Sequence, residues 1–460
     1  MDKGKMIDGY VREAHEKGAF TGTWLYAENG EILSKGALGW SDPDDSVPLT
    51  EESVFDLASV TKQFTASAVM ILRRRGLLDL DDEITRFFPE IPYRGVTVRN
   101  LLNHTGGLPD YMDWVAETAR KEGRIPGNDV IVRFLCECGE EPDFAPGEGW
   151  KYSNTGYCLL ARIAEKVSGT RFEDLLEKEL FIPAGMTSTH VCHRRMDGTE
   201  PDGLAVGLVL VTGDDRYRVP DDTEEYGYVV QLDGANGDGL VHSGIMDLFR
   251  WDRALRDGKI LTPEEQEMMY TPGKLLNGET AGDPDDEDGD AYGFGWYPEK
   301  DPGLGLIVRH SGGWPGYNIW YERFIDADRV LIILRCRDAL DDRASEAFYE
   351  GIKAMARDGE PVPIRTIEDV MIKDPDRSGW EAFCGRYEFE EDSVFRIDEV
   401  FLRDGELHIR ECLYGRNYEE RLYPLAQNVF SFKTATDEIT FGENSLILWG
   451  ETHRKLQENE

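Results

Sequence analysis

The chain has 460 residues, of which 40% are hydrophobic and 11% aromatic, enough apolar side-chain volume for a large core. Its formal net charge of −39 repels phosphate backbones, so the composition disfavours a nucleic-acid partner. No run of about 18 apolar residues occurs, and the N-terminus lacks the apolar segment of a secretory signal. We therefore expect a cytoplasmic protein that does not associate with membranes.

Neither the cysteines nor the acidic stretches predict a bound metal. The seven cysteines lack the spacing of a disulfide framework or a zinc site, and we expect most of them to be small buried side chains. Residues 283–290 only partly resemble a calcium-binding loop, because Pro284 occupies the first ligand position. We interpret this stretch as a solvated acidic loop, and we predict no metal and no other cofactor.

In chain order, the first half of the sequence predicts helices around one hairpin. Residues 1–18 have the pattern of a polar amphipathic helix. Residues 20–40 predict a hairpin, because Asn29-Gly30 between apolar stretches is a strong turn signal. Apolar residues recur at helical spacing in three further segments: 59–75, about 155–167, and one that starts near Ser243.

The second half predicts strands. Consecutive strands are expected at 292–297, 305–310, 318–324 and 330–336. Strands at both ends of this region with helices between them indicate an α+β fold, in which an antiparallel sheet flanked by helices joins the two ends. Beyond a Pro-, Asp- and Gly-rich boundary, short alternating strands predict a small all-β sandwich or barrel. The predicted organisation is an α+β domain at 1–357, a linker at 358–375 and a β domain at 376–460.

The first candidate for chemistry is Ser59-Val60-Thr61-Lys62. Serine needs a base within hydrogen-bond reach, and residues three apart share one face of a helix, so Lys62 is expected beside Ser59. Burial and nearby positive charge would have to lower the pKa of Lys62 for it to serve as that base. A serine in the first helical turn also has a free N–H that can stabilise an oxyanion. The alternative is a helix cap followed by a solvated lysine, against which the apolar neighbour Ala58 argues.

The second candidate is Tyr152-Ser153-Asn154, which lies between a turn-rich stretch and a predicted helix. Tyr152 is placed to relay a proton between Ser59 and a leaving group, and Asn154 to hold a substrate amide. The alternative interpretation is a helix start with a packed tyrosine.

The third candidate is His310-Ser311-Gly312-Gly313 at the end of an apolar strand. A strand edge that ends in glycines lets a substrate backbone approach closely. His310 would supply a polar or cationic group, and the Gly313 N–H a second oxyanion donor. The alternative is a strand-to-loop turn with an incidental histidine. Trp314, the next residue, would be either a wall of the acyl pocket or part of the core.

Together and in this order, these motifs resemble those of the serine β-lactamase-related superfamily. That superfamily includes class C β-lactamases, penicillin-binding D-alanyl-D-alanine carboxypeptidases, D-aminopeptidases and esterases. The resemblance covers about residues 5–357, and the C-terminal part resembles the lipocalin-like β-barrel of some members. The matching stretches are 57–62, 101–110, 146–157, 237–240 and 310–313.

The resemblance implies a role for each motif. Ser59 would be acylated with Lys62 as base, and Tyr152 would shuttle protons. The N–H groups of Ser59 and Gly313 would form the oxyanion hole, whereas His104 would stiffen its loop. The resemblance further assigns substrate orientation to the catalytic-site residues Asn154 and His310, and substrate contacts to Ser311, Gly312, Trp314, Asp110 and Tyr111.

One departure from the family bears on the substrate. Penicillin-recognising members commonly carry Lys-Thr-Gly where this chain has His310-Ser311-Gly312, and histidine there is typical of esterase, D-aminopeptidase and amidase members. We therefore expect a serine hydrolase that forms an acyl-enzyme and cleaves a small ester, an amide or a short peptide with a D-residue. We expect weak or no β-lactamase activity. Substrate specificity is expected in the loops 110–125, 191–235 and 283–290.

Two other functions remain open at this point. An acyltransferase or peptide cyclase would resolve the same acyl-enzyme with an amine, and a non-catalytic binding protein would keep the fold as a sensor. A conventional α/β-hydrolase is disfavoured because no Gly-x-Ser-x-Gly occurs, and a metal-dependent hydrolase because no His-Glu-x-x-His occurs. The expected partner is a small-molecule or short-peptide substrate, and a homodimer is left open.

Overall fold

The computed structural model of the protein describes residues 2–211, 216–283, 290–388, 395–413 and 416–456. Residues 284–289, most of the predicted acidic loop, lie outside these ranges. The helices are α1 (Lys3–Glu16), α2 (Lys62–Arg74), α3 (Ile84–Phe87), α4 (Val98–Leu102), α5 (Met112–Glu122), α6 (Val130–Glu137), α7 (Asn154–Ser168), α8 (Phe172–Leu176), α9 (Ile182–Ala184), α10 (Arg194–Asp197), α11 (Tyr228–Gln231), α12 (Ile245–Arg256), α13 (Pro263–Met269), α14 (Asp342–Ala356) and α15 (Ile367–Val370).

The strands are β1 (Gly22–Glu28), β2 (Glu31–Leu38), β3 (Phe55–Asp56), β4 (His190–Val191), β5 (Val209–Val211), β6 (Arg216–Arg218), β7 (Val241–Ser243), β8 (Tyr297–Asp301), β9 (Gly305–Trp314), β10 (Tyr317–Phe324), β11 (Arg329–Arg335), β12 (Gly385–Glu388), β13 (Phe395–Arg403), β14 (Glu406–Leu413), β15 (Arg416–Arg421), β16 (Tyr423–Pro424), β17 (Val429–Ser431), β18 (Glu438–Phe441), β19 (Ser445–Leu448) and β20 (Glu451–Lys455). Among the residues described, no helix has the length and hydropathy needed to cross a bilayer.

The chain divides into two compact units. The larger unit consists of Gly22–Leu208 and Val219–Cys336, and the smaller unit of Met1–Thr21, Val209–Arg218 and Arg337–Glu460. The domain boundaries at 357 and 376, drawn from the sequence alone, stay a prediction.

The larger unit is built on an antiparallel sheet with the strand order β2-β1-β11-β10-β9-β8. β1 and β2 form the predicted hairpin, and Asn29 and Gly30 take the positive φ angles that its tight turn requires. β1 also pairs with β11, which places Leu25 opposite Ile332. The early hairpin and the late strands therefore share one sheet, which confirms the predicted α+β fold.

Two helices at the centre of the larger unit, α2 and α7, pack against each other. Every residue of α2 from Lys62 to Leu72 is buried. The ring of Phe64 in α2 lies 4.9 Å from Trp251 of α12, and burying a large apolar side chain in this way contributes about 1.5–3 kcal/mol. α7 ends at Gly169, whose left-handed conformation closes the last turn. This packing fixes the N-terminal ends of both helices.

Two predicted boundaries in the second half are wrong. Residues 292–296 form a loop rather than a strand. Gly295 has a φ of 76°, and a Cβ there would lie 2.8 Å from the Gln63 Cα, so the loop passes close to the start of α2. The strand that was expected to end at His310 continues to Trp314, because β10 pairs with β9 along this whole length.

The smaller unit combines helices with a C-terminal sheet. The ring of Phe348 in α14 lies 6.0 Å from Tyr10 of α1 and 5.0 Å from Phe20. The C-terminal strands form an antiparallel, barrel-like sheet in the order β15-β14-β13-β12-β20-β19-β18-β17-β16. Its core includes Trp380, Phe430, Phe441 and Leu446. The small β-barrel predicted at the C-terminal end is therefore confirmed.

Candidate active site

Ser59 lies on a strained turn between β3 and α2. A 3₁₀ turn, Ala58–Thr61, leads directly into α2 at Lys62. Ala58 has a φ of 45°, a left-handed conformation that costs a non-glycine residue on the order of 1 kcal/mol or more. The Ala58 N–H donates to Asp56 Oδ1 at 2.8 Å, which holds the turn. Strain of this kind is common at functional sites, and here it places the Ser59 hydroxyl beside Lys62.

The Lys62 ammonium is fully buried and has three neighbours. Its Nζ lies 2.9 Å from Ser59 Oγ, 2.9 Å from Asn154 Oδ1 and 3.0 Å from the Asp238 carbonyl oxygen. A neutral amine has two N–H bonds and one lone pair. Because the Asn154 and Asp238 oxygens only accept, they take the two N–H bonds and leave the lone pair facing Ser59. This is the arrangement that a general base requires.

Burial sets the pKa of Lys62. Removal from water lowers this pKa to about 8, although the carboxylates of Asp238 and Asp110 act in the opposite direction. The low pKa of Lys62 is therefore caused by desolvation. The neighbouring positive charge that was also expected to lower it plays no part. About one Lys62 in ten is neutral at pH 7, against fewer than one in a thousand for an unperturbed lysine.

Tyr152 packs against the same ammonium group. Its ring centroid lies 4.8 Å from Lys62 Nζ, and the residue lies directly before Ser153, the N-cap of α7. Burial raises the pKa of Tyr152, whereas the neighbouring Ser59 hydroxyl lowers it. In the described part of the chain, the Tyr152 hydroxyl has no partner at normal hydrogen-bond geometry. Tyr152 is therefore a protonated phenol close to Ser59, and its hydroxyl can donate a hydrogen bond.

His310 is buried in β9 with both ring nitrogens engaged. Nδ1 lies 2.6 Å from the Ser311 carbonyl oxygen, and Nε2 lies 2.9 Å from Tyr292 Oη. A carbonyl only accepts, so we assign the proton to Nδ1, and Nε2 accepts from the Tyr292 hydroxyl. Burial, reinforced by the positive charge of Lys62, lowers the pKa of His310 to about 3. His310 is therefore neutral, which favours the polar over the cationic alternative.

His104 occupies a buried aromatic cage behind Tyr152. Its Nδ1 accepts the Ser153 N–H at 3.1 Å, and its ring lies 4.4 Å from Tyr152 and 4.3 Å from Tyr292. Burial lowers the pKa of His104 well below its ordinary value, so the ring is neutral. These contacts tie the His104 loop to the segment that carries Tyr152; the expectation that His104 stiffens its loop stays a prediction.

The edge of β9 passes next to the serine turn. β8 pairs with β9 only as far as Arg309, so β8 leaves the rest of this edge uncovered in the described structure. A Cβ on Gly312 would lie 2.3 Å from the Leu57 carbonyl oxygen, which explains why glycine is needed there. Ser311 and Gly313 are exposed, and a Cβ on Gly313 would meet nothing within 4 Å. This edge therefore combines a close contact with open space for a substrate.

The remaining predicted site residues lie around this centre. Tyr111 donates its hydroxyl to Asp238 Oδ2 at 3.0 Å, which links it to the Lys62 cluster. Asp110 is exposed at the start of α5. Trp314 is half-buried, and its ring packs edge-on against Tyr228 at 5.7 Å. Trp314 is thus a partly buried side chain that packs against the core.

Two residues of the site carried no clear signal in the sequence. Asp238 binds Lys62 through its backbone carbonyl, and a backbone acceptor leaves no mark in residue type. Its side chain was quoted only as part of a matching motif, yet Oδ1 accepts from Cys158 Sγ at 3.0 Å. Tyr292 was assigned to a strand, although it lies in the loop that reaches His310. In the described residues, no three His, Cys, Asp or Glu side chains group as metal ligands would.

The antiparallel sheet flanked by helices, with the serine turn against one of its strands, places the chain among the β-lactamase-like proteins. The sequence pattern of the β-lactamase family matches residues 7–353, and the chain belongs to this family. The resemblance drawn from the motifs is thereby confirmed.

Related proteins are found by sequence and by structure. The chain is 36% identical to penicillin-binding protein 4* of Bacillus subtilis over 96% of its own length and 94% of the relative's. It also resembles the structure of the octameric penicillin-binding protein homologue from Pyrococcus abyssi, with a TM-score of 0.65, 22% identity and coverage of 99% and 100% of the two chains. The D-amino acid amidase from Ochrobactrum anthropi SV3, complexed with L-phenylalanine amide, gives a TM-score of 0.58 and 27% identity over 73% of this chain and 91% of the amidase.

Proposed function

We propose that the protein is a serine hydrolase that forms an acyl-enzyme through Ser59. The observation that carries this proposal is the buried Lys62, whose Nζ lies 2.9 Å from Ser59 Oγ while Asn154 and the Asp238 carbonyl take its other hydrogen bonds. A lysine buried at this cost and aimed at a serine has no evident structural purpose, because burying an ammonium group opposes folding.

The proposed reaction begins when Ser59 Oγ attacks the substrate carbonyl carbon while neutral Lys62 takes the hydroxyl proton. The N–H groups of Ser59 and Gly313 then stabilise the oxyanion of the tetrahedral intermediate. As the bond to the leaving group breaks, Tyr152 donates its proton to that group and recovers one from Lys62. Water next attacks the acyl-enzyme carbonyl and gives up a proton to Lys62 or Tyr152. This proton passes to Ser59 Oγ as the bond between Oγ and the acyl carbon breaks, which releases the acid and restores the Ser59 hydroxyl.

We propose small esters, amides or short peptides with a D-residue as substrates. The similarity to a D-amino acid amidase supports an amide of a D-residue as one such substrate. The neutral state of His310 offers no positive charge where penicillin-recognising members of the family carry a lysine. A β-lactam carboxylate would therefore lack its usual partner. Asn154 and the exposed Ser311 are proposed to orient the substrate along β9.

A fluorophosphonate probe tests the nucleophile. We expect the wild-type protein to be labelled on Ser59 and the Ser59→Ala variant not to be labelled. Ser67→Ala is the matched control, because Ser67 lies in α2, which follows the Ser59 turn, is buried, and donates to the Gln63 carbonyl oxygen. This control should be labelled at the wild-type rate. Labelling of Ser59→Ala at the wild-type rate would refute the proposal.

The substrate class is tested with three chromogenic compounds. We expect kcat/KM for nitrocefin to be at least about tenfold below that for a D-aminoacyl p-nitroanilide or a short-chain p-nitrophenyl ester, because a charge contact of this kind contributes about 1.5–3 kcal/mol to binding. His310→Lys should narrow that difference by restoring a cation at this position of β9. If nitrocefin is the best of the three substrates, the ester and amide assignment is wrong.

A further inference from the structure

A buried polar network lies behind the segment that carries Asp238. His193 is at its centre: Nε2 lies 3.0 Å from Glu173 Oε1, and Nδ1 lies 2.6 Å from the Asp233 carbonyl oxygen. Asn236 donates from Nδ2 to the same Glu173 oxygen at 3.1 Å. These groups have no part in the reaction proposed above. Each polar group that is buried needs a partner, and here His193 and Asn236 both find one in Glu173 Oε1, whereas Glu173 Oε2 is buried without a hydrogen-bond partner among the residues described.

The hydrogen bonds of His193 fix its charge. The Asp233 carbonyl only accepts, so Nδ1 carries a proton. The ionised Glu173 carboxylate also only accepts, so its contact with Nε2 is favourable only when Nε2 carries a proton as well. Burial lowers the pKa of His193, but the hydrogen bonds to Glu173 and Asp233 outweigh burial and raise this pKa above its ordinary value. The geometry and the electrostatics thus both describe an imidazolium paired with a carboxylate.

Of the two carboxylates near His193, Asp233 is paired with Arg195, so Glu173 is the one whose interaction changes with the charge of His193. The charged groups that face His193 are the carboxylates of Glu173 and Asp233. Arg195 binds Asp233 through Nη1 at 3.3 Å and through its own N–H at 2.9 Å. Arg171 approaches Glu173 from the neighbouring turn and adds positive charge there. Loss of the second imidazole proton would therefore place a lone pair against the Glu173 carboxylate.

The segment held by this network, residues 233–238, contacts Lys62 through its last residue. Residues 233–238 start at the carbonyl bound by His193. Further along, the Gly237 carbonyl accepts from Thr65 Oγ1 at 2.6 Å, and the next carbonyl, that of Asp238, accepts from Lys62 Nζ at 3.0 Å. A displacement of the segment would therefore move one of the two oxygens that orient the lysine lone pair.

Close packing gives the segment one path. A Cβ on Gly234 would lie 1.8 Å from the Pro126 carbonyl oxygen, so this part of the chain is in direct contact with its neighbour. Asn128 donates from Nδ2 to Asn236 Oδ1 at 2.9 Å and holds the middle of the segment from the other side. Close backbone packing and hydrogen bonds therefore place the segment together.

We propose that Glu173 and His193 form a charged pair that positions residues 233–238, and with them the Asp238 carbonyl that orients Lys62. The inference rests on the proposed function, because it assigns the pair a part in holding the base. Both are positioning residues, since they act through the segment and not on a substrate. Removing the His193 side chain should lower the rate of the chemical step while substrate binding is kept, whereas a replacement of Glu173 that still hydrogen-bonds to His193 should preserve most of that rate.

Kinetics and NMR titration together test the pair. We expect His193→Ala to lower kcat by about tenfold with KM changed less than about threefold, because a small displacement of Lys62 from Ser59 affects the transition state more than binding. Ring C2 proton signals, assigned by their loss in His193→Ala, should show His193 titrating above its ordinary pKa of about 6.5. In Glu173→Gln, which keeps the shape of the side chain, the pKa of His193 should fall. Most of the wild-type kcat should be kept, because the amide can donate to Nε2 of the neutral ring.

Two exposed residues near the pair provide matched controls. His190→Ala and Glu177→Gln change exposed residues of the same region and should leave kcat and KM at wild-type values. An unchanged kcat in His193→Ala, or a His193 pKa at or below its ordinary value, overturns the proposal. If His193→Ala does not fold, the ring signal whose pKa falls between wild type and Glu173→Gln identifies His193, and the absence of any such signal overturns the proposal. That titration needs no turnover, so a failure of the serine-hydrolase proposal, read from the Ser59 probe, remains distinguishable.

Discussion

Replacing Lys62 by methionine is expected to lower kcat/KM for ester hydrolysis about a thousandfold, because the variant lacks the base that takes the Ser59 proton. Methionine is unbranched and flexible, so it fills the space of the lysine chain without a polar head. In the wild-type protein, kcat/KM should rise about tenfold per pH unit and level off above about pH 8, where Lys62 becomes neutral. The variant should lose this rise, and assays of a p-nitrophenyl ester between about pH 6 and 9.5 measure both effects.

A lysine of no catalytic use provides the control. Lys178 has a side chain that is 78% exposed, and Lys178→Met should keep both the wild-type kcat/KM and its pH dependence. Burial lowers the pKa of His310 to about 3 and that of His104 well below its ordinary value, so neither ring should add an inflection near pH 6.5. A pH profile that is unchanged in Lys62→Met would show that another group is the base.

The same variant measures what the burial of Lys62 costs the fold. The pKa of Lys62 is lowered from 10.5 to about 8 in the folded protein, so between these values the unfolded chain binds more protons. Stability should therefore rise with pH across this window, by up to about 3 kcal/mol at about 1.4 kcal/mol per pKa unit. The difference in unfolding free energy between wild type and Lys62→Met, taken at pH 7 and at about pH 9.5, isolates this contribution from that of the tyrosines. An equal change in both proteins would contradict the buried state of the ammonium.

The sequence was sufficient for the parts of the site that depend on local spacing. Ser59 and Lys62 are one helical turn apart, and the helical period alone places their side chains on one face. The hairpin at Asn29-Gly30 follows from the turn type that those two residues favour. The family resemblance added the order of the motifs, and with it the fold, which residue spacing does not specify.

The parts that escaped prediction depend on contacts between distant segments. The Asp238 carbonyl reaches Lys62 only because Thr65 and the network around His193 place its segment, and none of these partners is near it in sequence. The aromatic, glycine-rich run 292–297 has the composition of a strand. Its conformation depends instead on the close contact between Gly295 and the start of α2, and strand propensity carries no information about such a contact. Likewise, β9 extends past His310 because β10 continues beside it.

Gly312→Ala is expected to have the second large effect, because its Cβ would lie 2.3 Å from the Leu57 carbonyl oxygen. The clash is with backbone, so it is relieved only if β9 and the turn that carries Ser59 move apart. We expect unfolding free energy to fall by about 1–3 kcal/mol, as for other overpacked sites. We expect kcat/KM to fall about a hundredfold, since a displacement of about 1 Å at the nucleophile is enough for a loss of this size.

Gly313→Ala is the matched control for stability, because it adds the same methyl group one residue further along β9 into open space. Its unfolding free energy should stay within about 0.5 kcal/mol of wild type. Urea unfolding of the two variants and the rate of fluorophosphonate labelling of Ser59 measure the two effects separately. If Gly312→Ala is as stable as Gly313→Ala and is labelled at the wild-type rate, β9 does not press on the serine turn. In that case, close packing of β9 against the Ser59 turn would not be what places the Gly313 N–H near the oxyanion.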